Sequence, residues 1–217
     1  MLSDSDIREA MIDYASDPIV RHVGTMMGLP VSDAAPLLRI EPFSDDNLGP
    51  ASYDVRLGYF YYTPNSSFTD VYLIADKTSA GDYWNGPFDA RDMAYDNQSS
   101  PDITIPAGET VLAHTEEWFS LSPHIAAQMQ SRSSIGRSGL SVCKCSGFVD
   151  PGYSGRITME ISNHTRTDIR IPVGIRIAQI VFHRVDKVER PYNGKYGRAP
   201  SPSNWGPEDM TPKLYLD

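Results

Sequence analysis

Beyond Pro36 the chain is written mainly in short runs whose apolar and polar residues alternate with period two, the spacing of a strand with one buried face. Residues 53–57, 71–74, 110–113, 157–161, 169–171 and 175–182 all read this way, and Pro, Gly, Asn and Asp separate them. The pattern predicts a mainly β fold, a barrel or sandwich rather than a doubly wound sheet. Ahead of Pro36 the period is helical. Ile7, Met11 and Tyr14 share one face of a predicted helix from about residue 3 to 14, with Ser3 as its cap and Asp6 three residues in. A second helix is predicted over 17–28.

Two stretches lack the alternation. Residues 75–101 are rich in Asp, Gly, Ser and Asn and predict a surface excursion without a clear strand. From Tyr192 onward, Gly194, Gly197, Pro200, Pro202, Gly206, Pro207 and Pro212 exclude sheet and stable helix. Such a segment is either a plain end or a lid that orders on a ligand. The whole of 1–217 reads as one domain.

With 217 residues and 40% hydrophobic content the chain can bury a core without staples, which excludes a disulfide scaffold or a disordered tail. No run of about 18 apolar residues occurs, and the first residues are acidic where a leader would be basic, so a soluble cytoplasmic protein is expected. Cys143 and Cys145, one residue apart, would face opposite sides of a strand and are not expected to bond. The net charge of -9 argues against a nucleic-acid polymer as partner. It is unevenly spread: residues 128–198 hold 12 Lys or Arg against 5 Asp or Glu. That basic stretch is either a scattered solvated surface or a pocket for a compact polyanion.

Walker-type loops, Gly-x-Gly-x-x-Gly and Cys-x-x-Cys are absent, as is the zinc deaminase pattern, and the five histidines are dispersed. Three segments carry chemistry instead. Residues 130–139 combine Ser131, Ser133, Ser134 and Ser138 with Arg132, Arg137 and two glycines, and lack a helical apolar period. Hydroxyls, turn N–H groups and guanidiniums are what phosphate oxygens require. Asp150-Pro151-Gly152 predicts a tight turn that fixes Asp150 relative to Tyr153. In the strand that follows, Ile157, Met159 and Ile161 share one face and leave Thr158, Glu160 and Ser162 on the other.

Together these segments resemble the dCTP deaminase family of the dUTPase-like superfamily. Arg132-Ser133-Ser134-Ile135-Gly136-Arg137-Ser138-Gly139-Leu140 is similar to the family's Arg-Ser-Ser-Leu-Gly-Arg-x-Gly-Leu. Gly147 to Gly155 is similar to its Gly-Phe-Ile-Asp-Pro-Gly-aromatic-x-Gly, and Ile157 to Ile161 to its Ile-Thr-Leu-Glu-Leu. Further matches follow in family order at 2–8, 40–43, 50–58, 105–109 and 190–196.

The resemblance implies a distorted β-barrel, a dUTPase-like jelly roll with N-terminal helices, assembled as a homotrimer with sites between subunits. It implies zinc-independent hydrolytic deamination of dCTP to dUTP. Glu160 would be the general acid/base, Ser133 and Arg137 would position the water and C4, and the backbone carbonyl of Ser146 would orient the water. Arg132, Ser133 and Ser134 would contact the triphosphate, Asp150 the deoxyribose, Tyr153 the sugar or base, and Ile157 the base. Tyr192 and Lys195 belong to a segment that closes over the phosphates, with Arg198 standing near the place of a family glutamine. Magnesium would be bound mainly through the triphosphate. Cys143 to Gly147 replace the family's His and Thr-Ala-Gly, which leaves room for a 5-substituted cytosine. The competing readings are a bifunctional enzyme that continues to dUMP, a dUTP diphosphatase alone, and a non-catalytic nucleotide-binding regulator. Glu160, Arg137 and Ser133 speak for the deaminase.

Overall fold

The computed structural model describes residues 1–12, 36–73, 76–92, 101–144, 146–196 and 199–210. Ser3 caps helix α1 (Asp4–Ala10) through a reciprocal capping box with Asp6, and Ile7 and Ala10 bury its apolar face. The helix ends at Met11, short of the expected residue 14; Tyr14 and the second predicted helix lie outside the described residues.

The strands are β1 (Leu38–Glu41), β2 (Tyr53–Pro64), β3 (Trp84–Asp89), β4 (Asp102–Ile105), β5 (Thr110–Leu121), β6 (Ile125–Ser131), β7 (Leu140–Ser141), β8 (Phe148–Val149), β9 (Ser154–Asn163), β10 (Ile169–Pro172) and β11 (Arg176–Arg184). One antiparallel sheet runs β7-β9-β5-β2-β11-β6-β8, with β1 added to β5 and β3 to β2; β4 and β10 form a separate pair. The ends of the path, β7 and β8, are only six residues apart in sequence, so the chain itself bridges the gap. There one bond spans the gap, Val142 N–H to Ser131 Oγ at 3.1 Å, while Met129 N–H to the Gly147 carbonyl at 2.7 Å extends the β6–β8 pairing. The result is the distorted barrel expected, closed along a seam without a continuous ladder. One core runs through it, from Leu2 and Ile7 through Tyr53, Phe119 and Met159 to Phe182.

Four local expectations are corrected. The run 71–74 forms no strand at 71–73, and Ile74 lies outside the described residues. Val71 and Leu73 are exposed, the Leu73 N–H donates locally to Ser79 Oγ, and the Tyr72 ring stacks on Tyr83 at 4.6 Å. Alternation without a neighbouring strand makes no ladder. Second, the 75–101 stretch is more than an excursion. It forms helix α2 (Lys77–Tyr83) and β3, which pairs with β2 from Phe60↔Asp89 to Pro64↔Trp84. Gly86 and Pro87 hide the period, yet Gly86, at φ +141°, lies against the Tyr62 ring where a Cβ would stand 2.8 Å away. Third, Ser133–Arg137 is a one-turn helix, α3, which needs no apolar period because Ile135 alone packs on the core. Fourth, the tail forms short 3-10 turns at Pro202–Asn204 and Pro207–Met210 and docks on the barrel. Its Ala199 carbonyl accepts from Trp118 Nε1 at 3.1 Å and from Ser154 Oγ, Trp205 packs on His114 at 4.6 Å, and Met210 is buried with Tyr62 and Leu112.

His114 is fully buried. Its Nδ1–H donates to the Thr115 carbonyl at 2.8 Å and its Nε2 accepts from Phe60 N–H at 3.1 Å, which fixes one neutral tautomer. Burial holds its pKa down to about 3. The ring lies over Gly58, where any Cβ would collide with it. Gly58→Ala is expected to cost about 1–3 kcal/mol by overpacking. Because the unfolded imidazole takes a proton near pH 6.5 and the folded one does not, His114 removes stability as pH falls from about 6.5 toward 3, at about 1.4 kcal/mol per pH unit. Urea unfolding across pH 4–7 reads both effects, and His114→Gln should flatten the slope by about one proton.

Candidate active site

A cleft of about 590 Å³ opens at the seam, between β8 and β9. Ser146, Asp150, Tyr153, Ile157, Glu160 and Tyr192 line it, so six of the residues singled out from sequence share one wall system. β9 alternates as predicted, with Ile157, Met159 and Ile161 buried and Thr158 and Glu160 half-buried on the cleft side. Glu160 is held at one end only. Ser146 Oγ donates to its Oε1 at 2.8 Å, while Oε2 is buried without a hydrogen-bond partner. A carboxylate so placed has one oxygen oriented and the other open to a donor.

The predicted turn is present. Tyr153 N–H donates to the Asp150 carbonyl at 3.1 Å and Gly152 takes φ +92°, a region that favours glycine. The turn also seats the C-terminal segment: Tyr192 N–H donates to the Pro151 carbonyl at 2.8 Å, and the Tyr192 ring lies 6.0 Å from that of Tyr153. Tyr153 Oη donates to the Arg156 carbonyl at 2.7 Å, and burial, with Tyr192 and Asp209 nearby, pushes its phenol up. Tyr153 therefore serves as a neutral wall rather than a proton carrier.

The phosphate-type residues lie elsewhere. Ser133, Ser134 and Arg137 are exposed on α3, and none lines the cleft. Arg132 is engaged: its Nε lies 3.2 Å from Asp54 Oδ2, and its guanidinium donates to the Arg176 carbonyl at 3.1 Å. Arg176 shares Asp54 at 3.7 Å, so the patch keeps an excess positive charge. Lys195 is exposed and does not line the cleft, and Arg198 lies outside the described residues. Within one chain the candidates thus fall into two half-sites.

Sequence reading missed Tyr72, Trp84, Leu112, Tyr196 and Met210 as cleft residues. Trp84 had one signal, a Tyr83-Trp84 aromatic pair within a segment rich in small and polar residues. Leu112 had none, since its alternation looks like any core strand. Among the described residues no three His, Cys, Asp or Glu gather as metal ligands.

A family model described as dCTP deaminase-like matches residues 32–185. The dCTP deaminase, dUMP-forming, of Corynebacterium glutamicum (strain R) is 35% identical over 177 residues, covering 76% of this chain and 87% of its own. Its namesake from Methanopyrus kandleri is 33% identical over 184 residues, covering 82% and 86%. Among solved structures, 2'-deoxycytidine 5'-triphosphate deaminase from Agrobacterium tumefaciens aligns with a TM-score of 0.50 at 24% identity. That alignment covers 75% of this chain and 45% of the other, and bears on the fold alone.

At Gly152 an added Cβ would stand 2.8 Å from Pro191 and 2.9 Å from the Tyr192 nitrogen. Gly152→Ala is expected to destabilise by about 1–3 kcal/mol and to loosen the segment seated on the turn. Limited proteolysis should then cut near 190–196 several-fold faster than in the wild type.

Proposed function

The chain belongs to the dCTP deaminase-like family, and on that premise we propose that it removes ammonia hydrolytically from C4 of dCTP and carries the product on to dUMP. The observation that carries the first step is Glu160, with one oxygen held by Ser146 and the other buried and unpartnered on a cleft wall. Its carboxylate takes a proton from the attacking water and delivers it to ring N3 as the C4–O bond forms, then carries the hydroxyl proton to the departing amino nitrogen as the C4–N bond breaks and the C4 carbonyl forms. Burial beside Ile157 and Tyr153 limits competing water. Asp150, presented by its rigid turn, faces the deoxyribose. Ser146 contributes a role not foreseen, a side chain that orients the base, beside the backbone carbonyl expected from sequence.

For the product we adopt the bifunctional alternative, dUMP in place of dUTP, a reading supported by relatives named dUMP-forming. A second water then cleaves between the α and β phosphorus atoms, so one dCTP and two waters give dUMP, ammonia and pyrophosphate. Diphosphatase activity alone would leave Glu160 without a task, and a non-catalytic regulator would have no need of Glu160 and Ser133 together.

The two half-sites complement each other across a subunit boundary. In a homotrimer the exposed Ser133, Ser134 and Arg137 of one copy face the phosphates of a nucleotide whose base sits in the neighbour's cleft, with Arg132 behind them. α3 carries hydroxyls and a guanidinium and no carboxylate, so a magnesium ion would be held by phosphate oxygens and water. Bound there, the ion neutralises phosphate charge. Lys195 approaches the same phosphates from the tail, and the part that the resemblance gives Arg198 belongs to the proposal without a described position. No helix among the described residues is long and apolar enough to cross a membrane, and a cytoplasmic location is part of this proposal.

Chromatography of a reaction with dCTP and magnesium tests the reading: dUMP, pyrophosphate and ammonia are expected, and no loss of dCTP or its 5-substituted analogues would overturn it. Glu160→Gln should lower turnover at least about a hundredfold while nucleotide binding persists. Glu160→Gln and Arg137→Ala, each inactive alone, should recover activity when refolded together, since mixed trimers contain some boundaries with both native half-sites. Absence of recovery counts against the shared site.

A further inference from the structure

Four buried side-chain polar atoms among the described residues have no hydrogen-bond partner, and two of them belong to walls of the same cleft. One is Glu160 Oε2, an acceptor. The other is the indole Nε1–H of Trp84, which can only donate. Buried polar groups are almost always satisfied, so an acceptor and a donor left open on one cleft call for a ligand that offers both kinds of group.

The register shows how the two are related. Glu160 stands opposite Leu112, and Leu112 opposite Tyr62. Trp84 stands opposite Pro64, two residues along β2 from Tyr62. Directly opposed residues share a face, as do residues two apart on a strand, so Glu160, Leu112, Tyr62 and Trp84 project from the same side of the sheet. Tyr62, Leu112 and Met210 make an apolar floor with Trp84 packed against it. β9 and β3 are three strand spacings apart, roughly 14 Å, which two inward-reaching side chains narrow to the width of a small ring system. Trp84 itself is braced from behind by Tyr83, edge-on at 5.2 Å, and Tyr83 by Tyr72 and Phe68.

We infer that Trp84 is a specificity-determining substrate contact, whose indole N–H donates to an oxygen of the deoxycytidine nucleotide while Glu160 engages the N3–C4 edge of the base. The inference rests on the deaminase reading above and gives the segment around β3 its task. A deoxycytidine nucleotide carries suitable oxygens on the pyrimidine and sugar, and a 5-hydroxymethyl base carries one more. A tryptophan kept only for packing would leave its N–H in solvent or on a protein carbonyl.

Trp84→Phe keeps the ring and removes the donor. KM is expected to rise about tenfold with kcat within about twofold, and Trp84→His, which restores a ring N–H, should recover part of the loss. Equal losses with dCTP and 5-hydroxymethyl-dCTP place the oxygen on the common nucleotide; a loss confined to the hydroxymethyl substrate places it on the substituent. Unchanged KM for both, in a variant that melts with the wild type, overturns the inference. A second measurement needs no Trp84 variant in the assay: in 15N-labelled Glu160→Gln, the Trp84 indole resonance should move downfield on adding dCTP, and a stationary resonance under saturating nucleotide overturns the inference equally. If the wild type consumes no dCTP and Glu160→Gln binds none, the deaminase reading itself fails; if both succeed while Trp84 is silent, only this inference falls.

Discussion

The buried carboxylate of Glu117 fixes the strand on which the cleft depends. It is fully enclosed, and Arg56 meets it twice, through its backbone N–H at 2.9 Å and its Nε at 2.8 Å. Burial pushes this carboxyl up against the pull of Arg56, and removing either partner of such a pair costs about 3–5 kcal/mol. The pair sits in a bulge of β5: His114 and Trp118 bracket three residues that oppose Ile157 alone on β9. Thr115 seals the bulge, its Oγ1 accepting from Ile157 N–H at 3.0 Å and donating to the Glu117 carbonyl at 2.7 Å. A slip of one residue here would turn Leu112 and Glu160 to the opposite face.

From that register the cleft follows. β9 pairs with β5 along one edge and gains β7 on the other only at Leu140↔Asn163 and Ser141↔Ser162, so that second edge borders the seam beside Glu160. The loop that crosses the seam brings Ser146 to the carboxylate, and the Asp150 turn, planted just beyond β8, seats the returning tail. The half of the site that carries Glu160 is thus built by barrel closure. The half that carries Ser133, Ser134 and Arg137, on α3, is built by surface exposure.

Strands that bury one face were legible from sequence because period two and burial are the same fact seen twice: β2, β5, β9, β10 and β11 all lie where alternation placed them. The Asp-Pro-Gly turn was legible because its residues admit few backbone shapes. Glu160 and its cleft companions were legible through ordered family resemblance, which composition alone would not have supplied. The β3 strand was hidden by Gly86 and Pro87, whose value lies in a close approach to Tyr62 visible only in three dimensions. The run at 71–73 misled for the converse reason, since alternation says nothing about whether a partner strand is near. Docking of the tail turned on Ala199, whose carbonyl, not its side chain, is what Trp118 grips.

The cleft draws its walls from parts of the fold with very different freedom to vary. Glu160 stands on an inner strand whose register is tied to Glu117 and Arg56, so substitutions around it disturb folding. Trp84 stands on β3, which adds to β2 at the rim and has no further strand beyond it among the described residues. In evolutionary terms the Glu160 wall is held by the stable interior and the Trp84 wall by a peripheral strand. Substitutions on β3 can therefore reshape one side of the cleft while the wall that carries Glu160 keeps its register.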